Sequence, residues 1–313
     1  MAPCCSTPRP VSLGRGCYAW VQPDGGWGLS NAGLITGRGE ALLVDTLFDL
    51  SLTARMLDGF APFAADAPIT TLVNTHGNGD HWFGNQLLPE VEIIASAPAA
   101  GEMRAVGPEE VRALLADPGP AGAVGRRLFG TFSFDEVEPV YPNITFAGER
   151  TLRVGGVDVR LIDLGPAHSA GDTVVHVPSA DTVYTGDLVF ADGTPIVWHG
   201  PLANWLRACD RLVELGAVTI VPGHGPVTSL DAVREQAAYL RFVGEEAALR
   251  HAKGMSVVEA ARDIDLGEYA VLPERERLIV NVHAVYRELD PAIPALDGPA
   301  AFACLGELLE DLL

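Results

Sequence analysis

The stretch Thr75-His76-Gly77-Asn78-Gly79-Asp80-His81 brings two imidazoles, a carboxylate and a carboxamide together directly after an apolar run. That run, residues 69–73, is short and apolar and predicts a buried strand. The two glycines allow the backbone to turn sharply, so that alternate side chains can converge on one point. The stretch therefore has the residue types and the spacing of metal ligands, all placed at the end of one strand.

Three further polar side chains follow strand-like runs later in the chain. Each run is apolar and short, and each is followed by a glycine-containing turn that carries a histidine or an aspartate. The three side chains are His168, Asp187 and His224, after runs at 159–162, 182–184 and 218–221. Strand ends deliver all three residues, as the end of residues 69–73 delivers His76 and its neighbours.

These four segments resemble the HxHxDH signature and the later ligand set of the metallo-β-lactamase superfamily. They span roughly the middle half of the chain, and Asn78 stands where the family usually has its second histidine. The resemblance implies an α/β fold, a four-layer αβ/βα sandwich with helices outside two sheets. It also implies a metal site along one edge, between the sheets.

The resemblance implies a ligand set as well, carried over residue by residue. A first site would use His76, Asn78 and His168, a second Asp80, His81 and His224, and Asp187 would bridge the two. Imidazoles and carboxylates without thiolate favour Zn²⁺, Fe or Mn; we expect Zn²⁺, one or two ions per chain. A hydroxide shared by two such ions is the natural nucleophile.

Asn78 makes the two predicted sites unequal. A carboxamide oxygen is a poorer ligand for Zn²⁺ than an imidazole, so we expect the second site to fill first. Alternatively, Asn78 is no ligand and donates its NH₂ group to the hydroxide or to the substrate; the sequence leaves both roles open. We expect Asn78, Asp80 and Asp187 to be the catalytic residues.

Other side chains near these segments are candidates for supporting or substrate-binding roles. Trp27 lies in a Gly-rich turn that in this fold can hang over the metal edge as a flap, and Trp198 and His199 come shortly after Asp187. Aromatic side chains there suit a small-molecule substrate with a hydrophobic or aromatic body. Asp45 is expected to orient a ligand or cap a turn. Asp172 follows closely after His168 and is likewise expected either to orient a ligand or to cap a loop.

Composition excludes some classes of partner. The chain has 313 residues, with 21 Lys and Arg against 41 Asp and Glu, for a formal net charge of -20. Such a field repels nucleic acid and anionic membranes. Five cysteines without paired spacing argue against a disulfide framework, the first ten residues lack an apolar signal-peptide core, and no apolar run could cross a bilayer. We therefore expect a cytoplasmic protein and leave its oligomeric state open.

Short apolar strands and turns come first along the chain, and helices then alternate with strands. Residues 50–60 predict a helix, and residues 98–138 a helical insertion. The second half predicts strands near 144–147, 151–163, 173–177 and 182–190, and a helix over 202–215.

The sequence after His224 becomes rich in Ala, Glu and Arg, which predicts helices in 232–249, 257–263 and 275–289. We therefore predict a metallo-β-lactamase-like domain over residues 11–230. A helical C-terminal extension over residues 231–313 is expected to pack on it.

The function that these patterns favour is a metal-dependent hydrolase, in which a metal-bound hydroxide attacks an ester, thioester, lactone or amide carbonyl. One alternative is a polyketide cyclase or thioesterase of the same fold, because residues 21–25 and 31–33 are similar to the opening of such proteins. A second alternative is a non-haem iron oxidoreductase on the same ligands. A metal-binding protein without catalysis is disfavoured by the near-complete ligand set.

Overall fold

Each of the two β-sheets packs its inner face against the other sheet and carries helices on its outer face. In the computed structural model, residues 8–22 and 25–309 are described; Cys4, Cys5, Pro23, Asp24 and residues 310–313 lie outside the described residues. Strand residues alternate between the layers: Ile35 packs toward the opposite sheet, while its neighbour Leu34 packs toward the helical layer. The four-layer α/β sandwich predicted from the sequence is confirmed.

The first sheet has seven strands in chain order, antiparallel through its first four and parallel from the fourth onward. Its strands are β1 (Arg9–Gly14), β2 (Cys17–Val21), β3 (Ala32–Thr36), β4 (Ala41–Val44), β5 (Ile69–Val73), β6 (Glu92–Ser96) and β7 (Ile144–Phe146). The second sheet has the order β12-β11-β10-β9-β8, with only β11 and β12 parallel. Its strands are β8 (Glu149–Val154), β9 (Val157–Asp163), β10 (Thr173–Val177), β11 (Thr182–Tyr184) and β12 (Thr219–Val221).

The helices cover the outer faces and one end of the sandwich. In the first half they are α1 (Leu50–Ala64), α2 (Ala97–Ala105), α3 (Pro108–Ala116) and α4 (Pro120–Phe129); after the first eleven strands come α5 (Leu202–Leu215), α6 (Leu230–Ala252), α7 (Val257–Asp263), α8 (Leu278–Leu289) and α9 (Gly298–Leu309). Helices α5, α6 and α8 share a core with the outer face of the second sheet. None of the described helices is both long and apolar enough to span a membrane.

Several predicted boundaries need correction. The strand predicted near 151–163 is a hairpin of two strands, because Gly155 and Gly156 adopt positive φ angles and turn the chain. The strand predicted over 182–190 ends at Tyr184, where a 3₁₀ turn begins at Gly186. β7 belongs to the first sheet and not to the second half, the helical insertion ends at Phe129, and α9 had no counterpart among the predicted helices.

The predicted boundary between residues 230 and 231 stays a prediction. The three cysteines in the described part of the chain, Cys17, Cys209 and Cys304, are free thiols. This agrees with the expectation of no disulfide framework, and burial raises the pKa of the Cys17 thiol to about 11.

Gly33 allows the two sheets to approach at one point. A Cβ atom at Gly33 would lie 2.3 Å from Cε1 of Tyr184, which is fully buried on β11 and donates a hydrogen bond to the Tyr18 carbonyl at 3.0 Å. The ring of Tyr184 therefore fills the space that any larger residue at position 33 would need.

We expect Gly33→Val to lower the free energy of unfolding by about 3 kcal/mol, because a buried ring and two strands would have to move. Urea denaturation measures this change. Combining it with Tyr184→Leu, which removes the ring, should cost less than the sum of the two single changes. Strict additivity would show that the ring and Gly33 do not share this contact.

Candidate metal centre

The predicted ligands come from loops at the ends of strands in both sheets. After β5, residues 74–78 lead into a 3₁₀ turn at Gly79–His81 that places Asp80 and His81 beside His76. In the second sheet His168 lies in the loop between β9 and β10, Asp187 in the 3₁₀ turn after β11, and His224 after β12. The edge where both sets of strands end therefore carries all of them.

The ligand atoms form two groups, within each of which they all lie within 4.8 Å of one another. The first group is His76, His168 and Asp187, and the second is Asp80, His81 and His224. This division agrees with the two sites that the resemblance implied. The roles of these residues as ligands stay a prediction.

The Asp187 carboxylate lies between the two groups. Its Oδ2 atom is 3.4 Å from His168 Nε2, 3.8 Å from His76 Nε2 and 3.5 Å from His224 Nε2, and its Oδ1 atom is 3.1 Å from His81 Nε2. A bridging role requires this position. Gly223 permits it, because a Cβ there would lie 1.9 Å from Asp187 Oδ1.

Two of the four imidazoles are oriented by main-chain carbonyl groups. His168 Nδ1 lies 2.8 Å from the Ile196 oxygen, and His224 Nδ1 lies 3.0 Å from the Gly25 oxygen. A carbonyl can only accept, so each Nδ1 carries the proton and donates it. Each Nε2 atom therefore faces the site, which is the arrangement found around metal-bound histidines.

Asp45 orients the third imidazole and the start of the metal loop. Its Oδ2 atom accepts from His81 Nδ1 at 2.9 Å and from the Thr75 hydroxyl at 2.7 Å, and its Oδ1 atom accepts from the Thr75 N–H at 2.7 Å. The same hydroxyl lies 3.0 Å from His76 Nδ1. Of the two roles expected for Asp45, the orienting one agrees with these contacts. Asp45 holds a φ of 60° to make them.

Asp172, by contrast, caps the loop that carries His168. Its carboxylate accepts from the N–H groups of Ala167 at 3.0 Å and Ser169 at 3.1 Å, and from the Ser169 hydroxyl at 2.8 Å. Burial raises the pKa of this carboxyl to about 7. Its contacts fix the loop backbone on both sides of His168.

The residues present fit a metal. Three buried atoms that face the centre, His76 Nε2, His81 Nε2 and Asp187 Oδ1, have no hydrogen-bond partner in the described part of the chain. Unpaired buried polar atoms cost free energy unless something binds them. A cation at each group would satisfy these atoms, and neutral nitrogen and carboxylate donors suit Zn²⁺, Fe or Mn.

Electrostatics distinguish the two groups. Burial, together with the charge on His81, holds the pKa of His76 well below its usual range, and burial also lowers the pKa of His168. These two imidazoles are therefore neutral and ready to bind a cation.

The second group holds protons. Burial lowers the pKa of His224, but Asp187 and Asp80 more than offset it and raise this pKa to about 9. Asp187, Asp80 and Asp45 likewise raise the pKa of His81 well above its usual value against the opposing effect of burial. Burial alone would raise the pKa of Asp187, but the surrounding imidazoles hold it well below its usual range. A cation must displace protons from this group, so its binding there strengthens as pH rises toward 9.

Asn78 lies at the first group. Its Nδ2 atom is 3.3 Å from His168 Nε2, and because His168 carries its proton on Nδ1, the amide donates to the ring. The side chain also borders the cavity in front of the centre. This position is compatible with a ligand and with a hydrogen-bond donor, the two roles that the sequence left open.

A cavity of about 300 Å³ opens in front of the centre. Asn78, Asp80, Asp187 and His224 form its polar floor, and most of its wall is apolar and aromatic. This size is at the lower end of the range for pockets that bind small molecules. The centre therefore faces a site for a compact ligand and not an open groove.

Trp27 lines this cavity, but it is held in place and does not stand free on a flap. Its Nε1 atom donates to Glu276 Oε1 at 2.8 Å, and the Arg277 guanidinium lies 4.3 Å from its ring centroid. Trp198 also lines the cavity, with its ring 6.2 Å from that of Trp27. His199 is exposed and outside the lining, because the chain turns it toward its own Gly200 carbonyl. The predicted substrate-binding role of His199 stays a prediction.

Sequence patterns did not single out Glu102, Arg277 or the start of α9, all of which line the cavity. Glu102, on α2, packs against Gly77 and has a buried Oε2 atom without a partner in the described residues; burial raises the pKa of this carboxyl. Arg277 is 1% exposed and donates to the Thr194 carbonyl at 2.7 Å. Glu102 lies within α2 and Arg277 ends a 3₁₀ turn directly before α8, and no sequence motif marks either position.

The sequence itself identifies the family. A sequence model described as "Metallo-beta-lactamase superfamily" matches residues 25–224, which are 200 of the 313 residues. The chain belongs to the metallo-beta-lactamase superfamily.

Solved structures agree on the fold. A metallo-beta-lactamase from Pontibacter korlensis is 19% identical, with 75% of this chain and 99% of that chain covered and a TM-score of 0.56. The mono-zinc form of FIM-1 from Pseudomonas aeruginosa is 18% identical, with 75% and 96% covered and a TM-score of 0.55. The sec-alkylsulfatase Pisa1 from Pseudomonas sp. is 17% identical, with 91% of this chain but 51% of that chain covered and a TM-score of 0.66. At these identities the likeness shows the fold alone.

Stepwise chelation should reveal two unequal metal sites, because the first group has Asn78, at most a weak ligand, where the superfamily usually has a histidine. We expect elemental analysis during dialysis to show a plateau near one ion per chain, and Asn78→His to remove the plateau by tightening the weaker site. Loss of all metal in a single step from the unchanged protein would contradict the prediction.

Replacing Asp45 with Asn should lower metal affinity by about 10–100-fold, because the neutral amide has only one acceptor oxygen where the carboxylate uses two to hold His81 and Thr75. Competition with a chromophoric chelator measures the affinity. Asp192→Asn is the matched control, since Asp192 is exposed and also has a positive φ, of 57°. Equal affinities for the two variants would argue against an orienting role for Asp45.

Proposed function

We propose that this protein is a metal-dependent hydrolase acting on an ester, thioester, lactone or amide carbonyl of a small substrate with a hydrophobic body. The observation that carries the proposal is the convergence of two ligand groups on Asp187 at the floor of a largely apolar cavity. Family membership supports hydrolytic chemistry, whereas the substrate is inferred from the cavity.

Zn²⁺ is the first choice of metal, with Fe or Mn as alternatives, at the groups built from His76, His168 and Asp187 and from Asp80, His81 and His224. Bound there, such ions would supply Lewis acidity toward the carbonyl oxygen and lower the pKa of a water toward ~7.

The chain's own residues hold and orient the reacting groups. The carboxylates of Asp80 and Asp187 give the floor of the cavity negative charge, which retains cations and accepts protons. Asn78 borders the same floor, where its Nδ2 atom can donate a hydrogen bond to a substrate oxygen. The oriented imidazoles need no rearrangement before the reaction, and such preorganisation lowers the barrier.

The aromatic wall provides the binding energy for the substrate body. The rings of Trp27, Phe129 and Trp198 lie at one side of the cavity. The ring centroid of Trp27 is 6.0 Å from that of Phe129 and 6.2 Å from that of Trp198. A flat or bulky apolar group placed there would bury its surface and exclude water from the carbonyl. Small hydrophilic substrates would gain little from this wall.

A second candidate is a polyketide cyclase or thioesterase of the same fold, which the predominantly apolar wall of the cavity also favours. A thioesterase falls within the hydrolase class already proposed, so only the cyclase reaction gives a different kind of product. Hydrolysis adds one water across the cleaved bond, whereas cyclisation joins two carbons of one substrate without adding water. Mass spectrometry of the products distinguishes them.

The test is a panel of aryl and small polar esters and thioesters, given to the zinc-loaded protein. Aryl substrates should have the higher kcat/KM. An aryl sulfate belongs in the panel because one structural neighbour is an alkylsulfatase. Asp187→Ala should lower kcat/KM on the order of 10²–10³-fold or more and reduce metal content. Trp27→Ala should cost on the order of 1 kcal/mol in transition-state binding for aryl substrates.

His251→Ala, on α6, is the control and should retain both metal and turnover. Preference for small polar thioesters, or an Asp187→Ala variant with unchanged turnover, would contradict the proposal. Iron in protein made without added metal, with turnover only in the presence of an oxidant, would favour the oxidoreductase alternative.

A further inference from the structure

Helix α9 forms a wall of the cavity that faces the candidate metal centre. Gly298, Ala301 and Phe302 line the cavity, and their spacing of three and four residues places them on one face of the helix. The two residues before the helix, Leu296 and Asp297, line it as well. This wall lies outside residues 25–224, the part of the chain that matches the superfamily's sequence model.

Phe302 joins the aromatic side of the cavity. Its ring centroid lies 5.5 Å from that of Phe129, 6.4 Å from that of Trp198 and 6.5 Å from that of Trp27. Four rings from four separate parts of the chain therefore meet at this end of the cavity. Any substrate body that reaches this end contacts α9.

The helix is fixed against the rest of the protein. Ala301, Leu305, Leu308 and Leu309 are buried, and α9 packs on α4 and α8. The Asp297 side chain caps its first turn by accepting from the Ala300 N–H at 2.8 Å. A wall held in this way keeps its shape when a ligand enters.

Gly298 leaves room at the start of this wall. A Cβ atom built there meets nothing within 4 Å, and its φ lies outside the left-handed region, so a larger residue would fit the backbone. Gly298 is exposed and lies at the edge of the cavity, where a larger side chain would cover part of the space now open to a substrate.

We infer that the cavity face of α9, at positions 298, 301 and 302, determines how large a hydrophobic group the protein accepts. The inference rests on the proposed function and names the substrate class within it: esters or thioesters of aromatic or similarly bulky hydrophobic acids. We therefore expect a bulky naphthoyl group to contact α9 when its carbonyl lies at the floor of the cavity, and a small acetyl group to leave α9 uncontacted.

The experiment compares 2-naphthoyl and acetyl thioesters of N-acetylcysteamine, which share a leaving group, and follows thiol release. In Gly298→Leu the ratio of kcat/KM for naphthoyl over acetyl should fall at least about tenfold, with Gly298→Ala between it and the unchanged protein. Phe302→Ala should lower the same ratio about fivefold through the lost aromatic contact.

Gly101→Leu is the matched control. Gly101 lies on α2, is exposed and outside the cavity lining, and a Cβ there also meets nothing within 4 Å. It should leave the ratio unchanged. Ratios for Gly298→Leu and Phe302→Ala that equal that of the control would overturn the inference.

A binding measurement separates this inference from the proposed function. The ketone 2-acetonaphthone has no leaving group, and its binding can be followed by quenching of tryptophan fluorescence, since Trp27 and Trp198 line the cavity. If the unchanged protein cleaves no thioester but binds the ketone, and Gly298→Leu weakens binding about tenfold, the proposed function fails and the inference about α9 stands. If thioesters are cleaved and ketone binding is equal in Gly298→Leu and Gly101→Leu, the inference fails alone.

Discussion

The site depends on one buried carboxylate. Asp187 is 4% exposed and lies within 3.8 Å of four imidazole nitrogens. Two of these imidazoles come from the single loop after β5 in the first sheet, and two come from separate loops of the second sheet. A buried charge is tolerated only with compensating charge nearby, so protons on the imidazoles or bound cations must balance it. The requirement to surround this carboxylate explains why both sheets end their strands at the same edge and why Gly223 has no side chain.

The segment after the superfamily match takes part in the site as well as covering the second sheet. Asn281 on α8 accepts from the Val197 N–H at 2.8 Å and donates to the Pro195 carbonyl at 2.9 Å, and Arg277 holds Thr194. These contacts fix the loop whose Ile196 carbonyl orients His168. The ligand geometry and the cavity wall therefore both depend on helices far away in sequence.

Much of the fold and of the candidate centre could be predicted from local pattern. Apolar runs of four or five residues followed by polar turns identified strands and ligand loops, and helical periodicity identified α1 and α5. Local pattern failed where chain direction changed inside an apolar run, as at Gly155, and where sheet membership was decided by pairing, as for β7. Pairing of β7 with β6 depends on residues 50 positions earlier, as in Ile94 with Ile144, and on the insertion between the two strands, which no local window contains.

The sequence by itself determined which side chains are candidates for binding metal, because their chemistry is carried by residue type and by position after a strand. Only the tertiary structure decided what surrounds them. The cavity wall joins Trp27, Phe129, Trp198 and Phe302, whose separation along the chain leaves no periodic trace. Packing of helical segments also brought Glu102 and Arg277, which no sequence pattern marked, into the wall. Ligand loops are local structures, whereas a cavity is the space left between distant elements once their cores have packed.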